Sequence, residues 1–110
     1  MNKYYVAGFF DADGHIPKDK LRVILTNTNR DLLEYISIFL EAKNIKHNLR
    51  ERKFREENHS TAYDIFIDGW KNVIKFYKEI PFIHPKKKER LEYLLNNTKH
   101  FPSLSELEKL

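Results

Sequence analysis

Two stretches of this chain have the two-residue period of a strand, and each is followed by a stretch with helical spacing. Residues 21–26 and 62–67 carry an apolar side chain at every second position, which is the period of a strand with one buried face. Residues 30–44 and 69–80 then place apolar side chains three and four apart, as an amphipathic helix does. Because a strand with one apolar face has to be paired and covered, this repetition predicts a sheet with helices packed against it.

A hairpin over 15–26, which contains the first of these strands, and three further segments complete the order of elements. Residues 2–11 have helical spacing, residues 45–52 alternate like a strand, and another helix starts near Lys86. Asn29 and Asp68 are candidate N-caps for the two central helices. The order α-β-β-α-β-β-α predicts an α+β fold, in which a four-stranded antiparallel sheet has helices on one face and leaves the other face open.

The connections between these elements are short. Residues 17–20 are predicted to form the turn of a hairpin over 15–26, and residues 54–59 are predicted to form a loop. The leucines of 104–110 suggest a short terminal helix. The length of the chain predicts a single domain, 1–110, with an αββαββα core over 1–80 and helices over 81–110.

Composition limits the class of protein. The chain has no cysteine, which excludes disulfides and cysteine-ligated zinc. It has no apolar run of the length that a signal peptide or a membrane helix requires, so we expect an intracellular protein that binds no membrane. The net charge of +4 allows a polyanionic partner.

The two faces of the predicted sheet differ in character. The face toward the helices takes Leu21, Val23, Leu25, Tyr63, Ile65 and Ile67. The open face takes seven polar or basic residues, which are Lys20, Arg22, Thr26, Lys46, Asn48, Arg50 and Arg52. A basic face suits contacts with the phosphates of DNA, although an ordinary solvated strand face is the alternative. We predict these seven positions to be DNA-binding.

Asp11 and Asp13 lie where the first helix is expected to end, a place that disfavours negative charge. The helix dipole is negative there and the last carbonyls lack partners, so each exposed carboxylate costs about 0.3–1 kcal/mol. His15 is the only basic residue close by in the sequence. A hard divalent cation would offset the negative charge of the two carboxylates and the helix end. Magnesium binds one or two carboxylates, keeps several waters and completes its shell with substrate phosphate.

Other uses of Asp-Ala-Asp-Gly have to be weighed against a metal site. The tetrapeptide could be a plain turn, with Gly14 in the left-handed conformation and the acids solvated. An EF-hand loop is excluded, because its sixth and twelfth positions counted from Asp11 hold Ile16 and Arg22. An acid pair for glycoside hydrolysis would need a sugar-binding cleft, which a chain with one tryptophan gives little reason to expect.

One face of the first helix lacks bulky side chains, because Ala7, Gly8 and Ala12 lie close together on it. This face could pack closely against the sheet. It could instead meet the same helix of a second copy across a two-fold axis, where each subunit presents the same patch. Two Asp13 carboxylates would then lie close together, which a shared cation would make tolerable.

The segment Val-Ala-Gly-Phe-Phe-Asp-Ala-Asp-Gly, residues 6–14, closely resembles the LAGLIDADG motif of homing endonucleases and related intron maturases. Six of the nine positions match, and the other three keep their apolar character. The αββαββα order is also the fold of that family. Since one motif is present, the resemblance implies the single-motif type, which works as a homodimer.

The resemblance also implies roles for particular residues. Asp13 would be the metal-ligating catalytic acid and the Ala12 carbonyl a second metal ligand, while Asp11 would serve the helix end and the dimer interface with Ala7, Gly8 and Ala12. The implied reaction is two-metal hydrolysis of the phosphodiester, in which one ion activates water and the other stabilises the leaving 3′ oxygen.

Two further catalytic roles follow from the resemblance less directly. Asn27, at the end of the second strand, would lie near the attacking water, with Asn29 close behind as either a second candidate or a helix cap. Lys86 or His84 would support the developing charge, although an ordinary basic helix start is the alternative. The hairpin over 15–26 is shorter than the family usually has, which would leave fewer base contacts and lower discrimination.

The sequence therefore predicts a site-specific double-strand DNA endonuclease, a homodimer that uses Mg²⁺ or another divalent cation such as Mn²⁺. Its substrate would be double-stranded DNA, and its origin would be an intron or an intein. The alternatives are a non-cleaving DNA-binding regulator or an RNA-splicing maturase of the same fold. A plain dimerisation module would leave the basic strand face unexplained.

Overall fold

A computed structural model of the chain describes residues 1–52 and 61–97. The loop predicted at 54–59 and the helix predicted at 104–110 lie outside the described residues. The elements in chain order are α1 (Lys3–Asp13), β1 (Gly14–His15), β2 (Arg22–Asn27), α2 (Arg30–Ala42), β3 (Asn48–Arg52), β4 (Ala62–Asp68), α3 (Trp70–Glu79) and α4 (Pro85–Asn96).

The four strands form one antiparallel sheet in the order β1-β2-β4-β3. Val23 lies opposite Ile67 and Leu25 opposite Ile65, and all four side chains are fully buried beneath the helices. The neighbouring positions of the same strands point to the other face, as the two-residue period of a strand requires. The predicted α+β fold, with a four-stranded antiparallel sheet, is confirmed.

An aromatic cluster fixes the end of α1 inside the core. Phe10 packs edge-on against Phe76 and Phe82, with ring centroids 5.2 and 4.9 Å away. Such pairs add roughly 0.5–1.5 kcal/mol to the burial of their area. The last turn of α1 is thereby held against α3 and against the segment that leads into α4.

The two predicted helix caps had different outcomes. Asn29 caps α2 as expected, because its side chain accepts a hydrogen bond from the backbone N–H of Leu32. The prediction that Asp68 caps α3 was wrong: Asp68 is the last residue of β4, and Gly69, with a φ of 89°, occupies the N-cap position. Asp68 instead accepts two hydrogen bonds from the guanidinium of Arg22, directly opposite on β2.

Strand β3 begins three residues later than the alternation indicated. Asn44 ends the turn after α2 with a positive φ of 59°, and the N–H of Ile45 returns to the carbonyl of Leu40. Ile45 is therefore buried as part of the helix end. Lys46 lies before β3, and its backbone N–H donates to the Asn72 side chain. No helix within residues 1–52 and 61–97 is long and apolar enough to cross a lipid bilayer.

Candidate metal and nucleic-acid site

The motif ends in a tight passage from α1 into β1. Asp13 is the last helical residue and Gly14 the first strand residue, with a φ of −82° and a ψ of 162°. The backbone is therefore extended, which excludes the turn with Gly14 in the left-handed conformation. A Cβ on Gly14 would lie 2.1 Å from the Phe10 ring and 2.6 Å from the Phe10 carbonyl oxygen. Packing within the chain is what requires a glycine here.

Asp13 and Ala12 are exposed at this corner, as an external ligand would need. Gly14 pairs with Leu25 in the antiparallel register of β1 on β2, which places Asp13 near the end of β2 that carries Thr26 and Asn27. The Asn27 side chain accepts a hydrogen bond from the backbone N–H of Asn29 and so stabilises the turn into α2. Its proposed contact with the attacking water stays a prediction.

Asp11 is engaged inside the chain. Its carboxylate accepts hydrogen bonds from the backbone N–H groups of Ile83, at 3.1 Å, and His84, at 2.9 Å, where α4 begins. N–H groups at the start of a helix have no carbonyl partner within that helix, and the dipole of α4 is positive at this end. A carboxylate that is unfavourable for α1 is therefore favourable for α4.

The opposite charge comes from α4. The ammonium group of Lys87 donates to the carbonyl oxygens of Phe10, at 2.9 Å, and Asp11, at 2.7 Å, which are among the last carbonyls of α1. Burial lowers the pKa of Lys87, while the charges of Asp11 and Asp13 partly oppose that shift. The chain therefore supplies a cation of its own to the negative end of α1, which was not predicted from the sequence.

Three consecutive lysines begin α4, and the structure separates them. Lys86 and Lys88 are exposed, whereas Lys87 is half-buried on the side of the helix that carries Leu91 and Leu95. The four-residue spacing of these three residues was the available signal, because positions four apart share a helix face. The role proposed for Lys86 stays a prediction. His84 accepts from the Lys87 backbone N–H as the N-cap of α4.

Replacing Lys87 by methionine should lower the free energy of unfolding by about 2 kcal/mol, because two charge-assisted, partly buried hydrogen bonds to the carbonyls of α1 are lost. Lys88→Met removes the same charge from an exposed neighbouring position and should change it by less than about 0.5 kcal/mol. Urea unfolding of both variants gives the comparison. Equal effects of the two substitutions would show that Lys87 does not stabilise the end of α1.

The open strand face carries two acids that were not among its predicted residues. Asp64 and Asp68 follow the same alternation as Phe66 on β4, and they point to the face of Arg22 and Arg52. Arg22 pairs with Asp68 through Nε and Nη2 at 2.6 and 3.0 Å. Arg52 pairs in the same way with Asp64, which is only 4% exposed. The face is therefore less basic than predicted.

The remaining predicted DNA-binding residues vary in position. Thr26, Asn48 and Arg50 lie on the open face, and Thr26 donates to Asp64. The guanidinium groups of Arg50 and Arg22 both lie over the Phe66 ring, at 5.3 and 4.5 Å from its centroid. Lys20 and Lys46 lie just outside the strands, next to this face.

The Arg22–Asp68 pair has a defined pH dependence. The hydrogen bonds from Arg22 lower the pKa of Asp68 below its ordinary value, and the pair raises the pKa of Arg22. A carboxyl with a lowered pKa in the folded state contributes stability above its unfolded pKa, near 4, and loses it as the pH falls further.

The predicted dimer residues also differ in exposure. Gly8 and Ala12 are exposed on α1, together with Tyr4 and Tyr5, whereas Ala7 is 4% exposed and packs in the chain's own core. Ala7 therefore has little surface to offer a partner. A Cβ on Gly8 would meet no atom of the described residues within 4 Å, so the packing of those residues does not require this glycine.

Within the described residues, no three histidine, aspartate or glutamate side chains form a cluster that could hold a metal ion. Asp13 and Ala12 are exposed residues, and a carboxylate with a backbone carbonyl is a partial set of hard oxygen ligands. Such a set suits magnesium, which takes few protein ligands and completes its shell with water and phosphate. The donor chemistry at this corner therefore fits a divalent cation that is shared with other molecules.

Residues 1–81 match the model of the LAGLIDADG-like domain family. This range contains α1, the whole sheet, α2 and α3, and it includes the exposed Asp13 at the end of the motif helix. The chain belongs to the LAGLIDADG-like domain family.

The curated proteins that resemble the chain carry names of different activities. It is 33% identical over 86 residues to a replication factor C small subunit of Thermococcus kodakarensis, matching 78% of this chain and 9% of that protein. It is 29% identical over 106 residues to elongation factor 2 of Methanopyrus kandleri, matching 96% of this chain and 7% of that protein. It is 25% identical over 103 residues to an ATP-dependent DNA helicase Hel308 of Methanocaldococcus jannaschii, matching 86% of this chain and 9% of that protein. The chain thus spans less than a tenth of the length of each.

Proposed function

We propose that this chain is one subunit of a homodimeric, site-specific double-strand DNA endonuclease that works with a divalent cation such as Mg²⁺ or Mn²⁺. The observation that supports it most directly is the exposed carboxylate of Asp13, which ends the motif helix beside the open, arginine-bearing strand face. A nuclease that cuts at a phosphate needs these two features next to each other, a metal-binding acid and a surface that holds the DNA backbone.

Asp13 and the Ala12 carbonyl are the groups that would hold the cation. A divalent ion bound there supplies Lewis acidity and a more acidic bound water. The chain's own contribution is to present these oxygens on a fixed helix end, because Phe10 is locked in the aromatic cluster and Lys87 ties down the carbonyls of Phe10 and Asp11. Asn27 and Lys86 remain the candidates for positioning water and supporting developing charge.

Dimerisation through α1 accounts for a surface that residues 1–52 and 61–97 leave exposed. Tyr5, Gly8 and Ala12 are exposed at helical spacing on one face, and Tyr5 is 48% exposed. Glycine within a helix costs about 1 kcal/mol relative to alanine, a cost that close approach of a second helix would explain. Two copies of Asp13 would then contribute to the sites beside the two-fold axis.

The variety of the relatives supports an activity separate from theirs. At least eight curated proteins match, and their names include a replication factor, an elongation factor, a helicase and an ATP synthase subunit. A segment shared by proteins named for such different tasks, and forming less than a tenth of the first three, has no common host activity to serve. We infer that it is an inserted module, associated with an intron or an intein, that acts on DNA inside the cell.

The decisive experiment is selection from a randomised pool of duplex DNA, with magnesium and with a chelator. We expect magnesium-dependent recovery of duplexes cut at one sequence, and none from Asp13→Asn protein. Recovery of bound but uncut duplexes would favour the non-cleaving DNA-binding regulator, and selection of structured RNA instead would favour the splicing maturase. Absence of binding to either nucleic acid would overturn the proposal.

Replacing Gly8 by leucine should convert the dimer to a monomer, because the added side chain would hold the two α1 helices apart. Sedimentation velocity across a range of concentrations measures the change. Ala42→Leu adds similar bulk at an exposed position of α2 and should leave the dimer intact. A dimer that survives Gly8→Leu would refute an interface formed by α1.

A further inference from the structure

The two ion pairs on the open strand face share one geometry. In each, a carboxylate on the central strand β4 takes the Nε and Nη2 hydrogens of an arginine on a flanking strand: Asp68 with Arg22 on β2, and Asp64 with Arg52 on β3. All four contacts are between 2.6 and 3.0 Å. Both pairs are bidentate and partly buried, so each holds its arginine in one orientation.

The carboxylates bind only the side edge of each guanidinium. Arginine has five N–H donors, and a fork on Nε and Nη2 uses the side edge. The end of the group, formed by Nη1 and the second hydrogen of Nη2, carries two further parallel donors. Besides its bond to Asp64, Arg52 Nη2 has a long contact of 3.5 Å with the hydroxyl of Thr26. Two parallel donors match the O6 and N7 acceptors of guanine in the major groove.

The orientation of these arginines is fixed from more than one side. Arg22 lies over the Phe66 ring at 4.5 Å as well as against Asp68, and its side chain is only 20% exposed. Asp64 is 4% exposed and is held by Thr26 as well as Arg52. A guanidinium held in this way cannot turn to follow a phosphate, so it discriminates by position. Arg50 has the Phe66 ring beside it but no carboxylate among the described ion pairs, which suits a phosphate contact.

We infer that Arg22 and Arg52 read guanine bases and that Asp68 and Asp64 are specificity-determining residues that orient them. This rests on the proposed binding of duplex DNA by the same face. The ligand is a duplex with a guanine at two defined positions in each half-site. The acids lower the affinity for DNA in general, because they neutralise two of the positive charges that would otherwise attract phosphates.

The test is a binding selection from randomised duplexes in the presence of a chelator, which scores recognition without cleavage. Arg22→Lys and Asp68→Asn should both reduce the preference for guanine about ten-fold at the same base position, which is one column of the aligned selected sites. Lysine lacks the two parallel donors of arginine, and an arginine without its carboxylate is no longer held in one orientation. Arg52→Lys and Asp64→Asn should do so in a second column. The double variant Arg22→Lys/Asp68→Asn should lose no more than either single variant.

The matched control is Glu51→Gln, which removes one negative charge from β3 on the face opposite Arg50 and Arg52. It should leave every column unchanged. Asp68→Asn should also steepen the salt dependence of binding to non-matching DNA by about one unit, because one more arginine becomes available to phosphate. Since Asp64 is buried and its replacement could unfold the chain, the Asp68 variant decides the test.

The outcomes separate this inference from the proposed function. If the wild-type protein selects no duplex, both fail. If it selects a site but Arg22→Lys only weakens binding, with all columns retained, the arginine contacts phosphate and the inference is wrong. If Arg22→Lys removes a column that Asp68→Asn leaves intact, the arginine reads the base without help from the acid, and the role of Asp68 is refuted.

Discussion

Replacing Asp13 by asparagine is expected to reduce DNA cleavage by roughly 1000-fold or more while the protein stays folded, dimeric and able to bind its site. A bound metal ion contributes several kcal/mol to the stabilisation of charge in phosphodiester hydrolysis, and 1.4 kcal/mol is a factor of ten in rate. The neutral amide of asparagine is a poor ligand for a hard cation. Because Asp13 is exposed at the helix end, removing its charge costs the fold little and relieves an unfavourable interaction with the α1 dipole.

Single-turnover cleavage of the selected duplex, together with binding measured in chelator, provides the comparison. Asp31→Asn is the matched control, because it removes the same charge from an exposed residue in the first turn of α2. It should cut at the wild-type rate. If Asp13→Asn protein still cuts, the metal-ligand role of Asp13 is refuted. If it also loses binding, the acid has a structural role that its exposure does not indicate.

The second large effect concerns the two glycines of the motif, which should respond to the same substitution in different ways. Gly14→Ala should lower the free energy of unfolding by about 3 kcal/mol, since the new methyl group would lie 2.1 Å from the Phe10 ring. Phe10 has no room to retreat, because it is fully buried between Phe76 and Phe82. For a chain of this size, such a loss should lower Tm by about 10–20 °C.

Gly8→Ala is the internal comparison, because the added methyl group meets no atom of the described residues within 4 Å. In the separated subunit it should stabilise α1 by up to about 1 kcal/mol, the difference in helix propensity. Thermal and urea unfolding at several protein concentrations separates the stability of the subunit from that of the dimer. Similar effects of the two substitutions at low concentration would contradict the packing described around Gly14.

The fold could be predicted because its elements have strong periodicity. Val23, Leu25, Ile65 and Ile67 alternate along two strands, and that pattern specifies which face is covered. The boundaries of the strands and helices were harder to predict from the sequence. β3 starts late because Ile45 is drawn into the end of α2 through a left-handed Asn44, a tertiary preference that local alternation cannot show.

Within the candidate site, only residues that belong to the motif could be predicted from the sequence. Asp13 could be identified from the motif and its helix end, and its catalytic role remains a prediction. Lys87 could not be selected from three lysines without attention to helix phase, and the backbone groups that receive Asp11 have no sequence signal at all. Asp64 and Asp68 were visible in the alternation but were not assigned to the open face, so its charge was overestimated.

The contacts between Asp11, Lys87 and the start of α4 extend the structural unit around the motif helix beyond the family range of residues 1–81. A chain that stopped after Pro81 would keep every letter of the motif, yet it would lose the ammonium group that neutralises the motif helix and the amide groups that receive its first acid. Recombination or domain grafting that cuts the chain at the end of the family range would therefore separate the charged end of α1 from the groups of α4 that stabilise it.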